Sequence, residues 1–133
     1  MDNSSIYFEK IKVHWTESSN SDFQTMTHLY NSKDYHWSLF MGHLVVEKLL
    51  KALYIKKHQK HPLPIHDLLR LTKKCEIEVS EKHADLLDTI STFNINARYD
   101  DYKQNFYRKC TKEYADEWIK HIIEIQEWIK TQL

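Results

Sequence analysis

The amino-acid sequence predicts an all-α fold, an up-and-down bundle of four main helices plus one short helix. Its 133 residues include one glycine and two prolines, too few turn-forming residues for a protein with many strands. Apolar residues recur at spacings of three and four over long stretches, which is the period of helices that bury one face. The length favours one domain over residues 1–133.

The first two predicted helices span about Tyr7–Asn31 and Tyr35–Gln59. In the first, Asp22 interrupts an apolar stripe, and the serine-rich stretch 18–21 has weak helix propensity, which favours a kink there. The second helix is apolar on most sides, so we expect it to be largely buried. It ends in a basic segment before Pro62, because proline cannot continue a helix.

Three further helices are predicted downstream, each after a residue that can cap a helix N-terminus. The capping residues are Asp67, Ser80 and Thr111, and the helices that follow them end near Cys75, Asn96 and Thr131. The segment 97–110 is polar and aromatic without clean periodicity, so we predict a loop. A long irregular connection in a compact bundle is more often functional than a short one.

Composition excludes several classes of protein. The 19 basic and 19 acidic residues cancel, whereas a general binder of phosphate backbones carries a basic excess. Cys75 and Cys110 lack metal-ligand spacing and are expected to be reduced thiols of a cytoplasmic protein. The N-terminus does not resemble a signal peptide, and no apolar stretch reaches the roughly 18 residues of a membrane span.

A polar stripe on the second helix is the first candidate site. His43, Glu47 and Lys51 stand at i, i+4 and i+8 and therefore share one helix face. Polar groups on a buried helix need partners or a water-filled cleft. We expect Asp22 to lie opposite Glu47 and Lys51, so that these residues and Lys48 form the wall of a nucleotide cleft. The alternative is a buried ion-pair network that sets the helix register.

Arg98 is the second candidate. Its planar guanidinium can hold a phosphate while Tyr99 or Tyr102 stacks on a base. The alternative is that Arg98 ties the predicted loop to Asp22 or Glu47, and that the tyrosines fill the end of the bundle.

The remaining polar residues predict neither a metal site nor a cofactor site. His66 is a candidate ligand contact, although its neighbour Asp67 as a helix cap favours a role at the helix entry. His58, His61 and His66 are loosely spaced and lack nearby cysteine or glutamate, so no metal is expected. Gly42 is the only glycine, which excludes a glycine-rich phosphate loop.

Three motifs, in this order on a helical bundle, resemble the HEPN family of higher-eukaryote and prokaryote nucleotide-binding domains. The resemblance covers nearly the whole chain. It rests on the motifs Glu47-Lys48-Leu49-Leu50-Lys51-Ala52, His66-Asp67-Leu68 and Ala97-Arg98-Tyr99-Asp100-Asp101-Tyr102, together with Trp15, Asp22-Phe23 and Pro62-Leu63-Pro64.

The resemblance implies a bundle that forms a homodimer and partners a minimal nucleotidyltransferase, often as the toxin of a toxin–antitoxin pair. Many members are metal-independent RNases that use an Arg followed a few residues later by a His. Here the positions for that His hold Lys103, Gln104 and Asn105, and the next histidine is His121. Asp100 also stands where close relatives tend to have proline.

Three hypotheses follow from these observations. The first is a binding module for a nucleotide or RNA that partners a nucleotidyltransferase. The second is an RNase toxin in which Arg98 binds the phosphate, and a tyrosine or Lys103 replaces the missing histidine. Proton transfer near neutral pH favours an imidazole, so the sequence favours the first hypothesis. The third is an interaction domain whose polar stripe is purely structural.

Overall fold

The computed structural model describes residues 3–133, apart from the side chain of residue 100, and this part of the chain is helical without any strand. The helices are α1 (Asn3–Asn31), α2 (Tyr35–His58), α3 (Leu68–Lys74), α4 (Glu81–Arg98), α5 (Asp100–Lys109) and α6 (Lys112–Gln132). The all-α bundle that the sequence predicts is confirmed.

Side-chain caps begin α3, α4 and α6 at the three predicted positions. Asp67, Ser80 and Thr111 each accept a hydrogen bond from the backbone N–H three residues downstream, at 3.0, 3.1 and 3.2 Å. Each cap satisfies a donor that the helix itself leaves unpaired, and such a cap is typically worth about 1 kcal/mol. Local sequence therefore sets where these three helices start.

The prediction of a loop over 97–110 is wrong. Helix α4 continues to Arg98, and after Tyr99 alone the chain enters α5. The segment contains neither glycine nor proline, so nothing in it breaks a helix. Phe106 and Cys110 are buried at a spacing of four, which is one helix face. This apolar face is too narrow to produce a visible period in the sequence.

Helix α1 is longer than predicted and runs unbroken through the serine-rich stretch. Ser19 in that stretch is completely buried, and its hydroxyl donates a 2.7 Å hydrogen bond to the carbonyl of Val45 in α2. The small side chain lets the two helices approach closely, and the bond satisfies its hydroxyl. The serines therefore serve helix packing at a position where the sequence favours a kink.

Helix α2 lies at the centre of the bundle and packs against all five other helices. Most of its residues from His36 to Ile55 are buried, as the sequence predicts. The fully buried large side chains around it come from every helix except α5; they are Met26, Leu39, Leu49, Leu50, Leu53, Ile55, Leu68, Leu71, Leu87, Ile90, Phe93 and Ile122. Helix α2 as a whole therefore links the other five helices.

Gly42 marks the closest approach of α2 to its neighbours. A Cβ atom at this position would lie 2.3 Å from Cδ1 of Ile122 and 3.2 Å from the sulfur of Met26. We expect Gly42→Val to lower the free energy of unfolding by about 1–3 kcal/mol, because extra methyl groups overpack a filled core. Urea denaturation measures this change. Ile122→Ala removes the atoms that would clash with the new side chain in Gly42→Val. The double variant Gly42→Val/Ile122→Ala should therefore be more stable than the sum of the two single losses in free energy of unfolding predicts. Strictly additive losses would contradict the close contact.

Candidate functional site

Glu47 is the centre of the polar stripe on α2. One carboxylate oxygen accepts a 2.8 Å hydrogen bond from Nδ1 of His66, and the other lies 3.3 Å from Nζ of Lys51. Nε2 of His43 approaches the first oxygen to 3.6 Å. Glu47 and Lys51 are only 4% and 8% exposed. The predicted stripe is therefore a buried network, and the loop before α3 completes it through His66.

His43 is completely buried in this network, and its surroundings favour the neutral imidazole. Burial lowers the pKa of its imidazole, an effect that the nearby carboxylate of Glu47 opposes. Its Nε2 lies 3.3 Å from the backbone carbonyl of His66, so the tautomer that donates from Nε2 fits best. Its buried Nδ1 then has no hydrogen-bond partner among the described residues.

Contacts to α1 extend the network. The ammonium of Lys51 lies 5.1 Å from the ring centroid of Trp15, within the range of a cation–π interaction. Lys48 forms an ion pair with Asp22 at 2.6 Å and donates a 2.8 Å hydrogen bond to the hydroxyl of Ser18. These contacts confirm that Asp22 faces α2. The polar side chains suggested as a cleft wall are thus paired with one another.

Arg98 lies at the C-terminal end of α4 and is exposed. Its Nε donates a 3.0 Å hydrogen bond to the carbonyl of Asn94. Its guanidinium carbon lies 5.7 Å from the ring centroid of Phe40 in α2 and 5.6 Å from that of Tyr99. One nitrogen and two rings therefore orient the guanidinium, while the terminal N–H groups keep their capacity to bind a ligand.

The alternative role of Arg98, a tie to Asp22 or Glu47, is not found among the described side chains. Those two carboxylates pair with lysines and histidines, and the ion pairs among the described side chains do not include Arg98. Tyr99 and Tyr102 are 55% and 53% exposed, so they do not fill the bundle end either. Arg98 and Tyr99 therefore contact each other at the surface, and exposed Tyr102 follows three residues later in α5, where its backbone N–H donates to the carbonyl of Tyr99. We call these three residues the Arg98 cluster.

The two candidate sites lie along the same part of α2. Phe40, which packs on Arg98, precedes His43 by less than one turn. The charge of Arg98 contributes to the lowered pKa of His43, so the guanidinium is close enough for its field to reach the network. The network thus supports the helix on which the Arg98 cluster rests.

Positions 103–105 hold no histidine, and His121, the next one along the chain, is engaged elsewhere. Lys103 extends over the ring of Trp37, with 5.3 Å between its Nζ and the ring centroid. His121 lies on α6, where its ring packs 4.7 Å from that of Trp118 and its Nε2 is 3.8 Å from Glu117. The structure therefore leaves the Arg-His motif incomplete.

The sequence analysis did not group Lys103 with Tyr107 and His36, because α5 was predicted to be a loop. Lys103 and Tyr107 are separated by four residues and so share a helix face, which faces His36 of α2. The spacing of four residues between Lys103 and Tyr107 would have predicted this face, but only for a segment already known to be helical.

The cysteines and the metal-ligating residue types offer no further chemistry. Cys75 and Cys110 are buried, unpaired thiols, and burial raises the pKa of each to about 12. Since the thiolate is the reactive form, both side chains are poor nucleophiles. Among residues 3–133, no group of three or more His, Cys, Asp or Glu side chains is placed to hold a metal ion. Within the same residues, no helix has both the length and the apolar character needed to cross a bilayer.

Comparisons with known proteins agree with this fold. The chain is similar to TT1696 from Thermus thermophilus, known from a crystal structure, with 19% sequence identity and a TM-score of 0.80. The likeness covers 92% of this chain and 98% of that one, and at this identity it shows the fold alone. A search of curated proteins found no match. The family model for the HEPN domain matches residues 13–132, nearly the whole chain. The protein therefore belongs to the HEPN domain family.

Proposed function

We propose that this HEPN-family protein is a binding module that recognises a nucleotide or RNA through the Arg98 cluster. The observation that carries the proposal is the state of Arg98, an exposed guanidinium oriented by Asn94 and Phe40 without an ion-pair partner among the described side chains. Such a group can form two parallel hydrogen bonds to a phosphate. Tyr99 and Tyr102 provide exposed rings on which bases can stack.

The buried network supports this site by fixing the helices beneath it. Asp22 with Lys48, and Glu47 with Lys51 and His66, join α1, α2 and the loop before α3. Direct contact of these five residues with a ligand stays a prediction. His66 is the best placed of them, because its side chain is mostly exposed and lines a groove beside α4.

We further propose that the protein acts as a homodimer with a minimal nucleotidyltransferase as its partner, in a toxin–antitoxin pair. HEPN membership supports this proposal, as do the exposed large side chains of Ile95, Tyr99 and Tyr102, which lie within four positions of Arg98 in the sequence, because large apolar groups on a surface favour association. A cytoplasmic location fits the two unpaired thiols, since reducing compartments keep cysteines in that form.

Light scattering tests the dimer directly. At tens of micromolar, we expect a particle of twice the 16.2 kDa mass of the chain. Ile95→Asp should shift the protein toward the monomer, because it places a charge in the proposed contact. Val13→Asp is the control, since Val13 is a similarly exposed apolar residue on α1. A wild-type monomer at this concentration would contradict the dimer, and an equal effect of the two variants would place the contact elsewhere.

Arg98→Ala tests the binding function. We expect RNA or nucleotide binding to weaken by about ten- to a hundredfold, because a charge-assisted hydrogen bond contributes about 1.5–3 kcal/mol. The measurement is a binding titration at fixed salt concentration, with Arg70→Ala as the control at an exposed arginine on α3. Equal affinities of wild type and Arg98→Ala would contradict the proposal.

The same two proteins decide between binding and catalysis. We expect neither of them to cleave RNA in the absence of metal, because no imidazole stands at positions 103–105. Robust cleavage by the wild type that is lost in Arg98→Ala would establish the RNase function instead. In that case Lys103 or a tyrosine takes the place of the histidine.

A further inference from the structure

A second groove lies between the N-terminal end of α2 and the exposed face of α5. It has a volume of about 570 Å³, which is within the range of small-molecule sites. Its lining side chains are His36, Lys103, Gln104, Tyr107 and Arg108. None of them belongs to the Arg98 cluster. We call it the His36 groove.

The His36 groove concentrates positive charge in a chain whose formal net charge is zero. Lys103 and Arg108 line it, and Lys33 lines a smaller pocket of about 270 Å³ that shares His36, Tyr107 and Arg108. No carboxylate is among the described side chains that line either pocket. The charge of Asp34 acts on His36, but Asp34 does not line either pocket. This local charge suits an anionic ligand.

His36 contributes a polar ring to the wall of the groove. Its side chain lines the groove, yet the residue is only 8% exposed. Its ring packs 5.1 Å from both Trp37 and Tyr107, and its nitrogens form no hydrogen bond with any described residue. These nitrogens are not among the buried polar atoms that lack a partner, so they are open to the groove and free to bond a ligand there. Burial lowers the pKa of this imidazole, so it offers one N–H donor at neutral pH.

The start of α2 adds donors at the same place. Asp34 precedes the helix but makes no side-chain hydrogen bond to its first turn. The first backbone N–H groups of a helix lack partners within the helix, and the helix dipole makes this end attractive to anions. His36 belongs to this first turn and lines the groove, so the positive end of the helix dipole lies next to it.

We propose that the His36 groove binds a nucleoside 5′-monophosphate, with the phosphate held by His36, Lys103 and Arg108 and the base stacked on Tyr107. A phosphate has enough acceptor oxygens to bond several donors arranged around it. The exposed ring of Tyr107 at the groove wall provides the aromatic surface that a base can cover. This inference goes beyond the Arg98 cluster, and each proposal can fail without the other.

The test is a titration of the full chain with AMP, followed by NMR and calorimetry. Adenosine and inorganic phosphate are titrated separately, and both should bind more weakly than AMP. His36→Phe keeps the packed ring but removes both nitrogens, and Lys103→Gln/Arg108→Gln removes the two cations. Each should weaken AMP binding by about tenfold or more. Lys10→Gln/Lys73→Gln changes the net charge equally at exposed lysines of α1 and α3 and should retain binding.

Several outcomes would overturn the inference. One is that neither AMP at millimolar concentration nor a 5′-phosphorylated RNA hexamer binds. A different result is that AMP does not bind, while the 5′-phosphorylated hexamer binds and its 5′-hydroxyl counterpart does not. Such a result supports the same phosphate site with an RNA end as the source of the ligand. Equal losses in the control and the groove variants would also overturn it. Binding that is lost in Arg98→Ala but retained in His36→Phe would assign the nucleotide to the Arg98 cluster alone.

Discussion

Replacing Glu47 with alanine is expected to lower the free energy of unfolding by about 3–5 kcal/mol, the usual cost of removing one partner from a buried ion pair. The ammonium of Lys51, packed on Trp15 and only 8% exposed, would lose the carboxylate at 3.3 Å. His66 would lose its acceptor, and His43 its nearest negative charge. Lys51 and His43 would then be left buried without that carboxylate, whereas the mostly exposed His66 can bond to water.

Urea denaturation of three variants tests this explanation. Glu47→Ala/Lys51→Met should be more stable than Glu47→Ala, although it carries one more substitution. Methionine removes the uncompensated charge of the Lys51 ammonium and keeps a side chain of similar length at that position. Glu124→Ala removes a carboxylate of similar chemistry from Lys82 at the surface and should cost less than about 1 kcal/mol. If Glu47→Ala costs no more than Glu124→Ala, the buried network contributes little to stability.

Replacing Phe106 with alanine is expected to cost about 3–5 kcal/mol, the range for a large aromatic side chain removed from a core. Phe106 is 4% exposed, and its ring centroid lies 5.5 Å from that of Phe93. Most other side chains of α5 are exposed, so this residue supplies most of the apolar burial that holds the helix against the bundle. We expect α5 to lose its docking before the rest of the fold unfolds.

Amide hydrogen exchange distinguishes local from global loss. In Phe106→Ala, protection of the backbone amides should fall in α5 more than in α2. If the His36 groove binds nucleotides, the affinity for AMP should also fall, because α5 carries Lys103, Tyr107 and Arg108. Asn105→Ala is the control, since it removes an exposed side chain of the same helix that belongs to neither proposed binding site. Unchanged protection of α5 in Phe106→Ala would show that other contacts hold the helix.

Local signals in the sequence determined the all-α class and most helix ends. Caps at Asp67, Ser80 and Thr111 act within three residues, and apolar periodicity acts within a few turns, so both are readable without a structure. The burial of α2 followed from its apolar composition. The HEPN motifs determined the family, because they place specific residues in order along nearly the whole chain.

Tertiary structure alone decided the partners of the polar residues and the identity of α5. Glu47 pairs with His66, 19 positions away, and Asp22 pairs with Lys48. The sequence alone did not show which of several basic residues each carboxylate would pair with. Helix α5 is held by Phe106 against Phe93 rather than by a periodic stripe, so its own sequence predicted a loop. The His36 groove exists only because this helix packs on α2. Contacts between distant segments depend on how the helices pack. Local sequence patterns therefore do not reveal them.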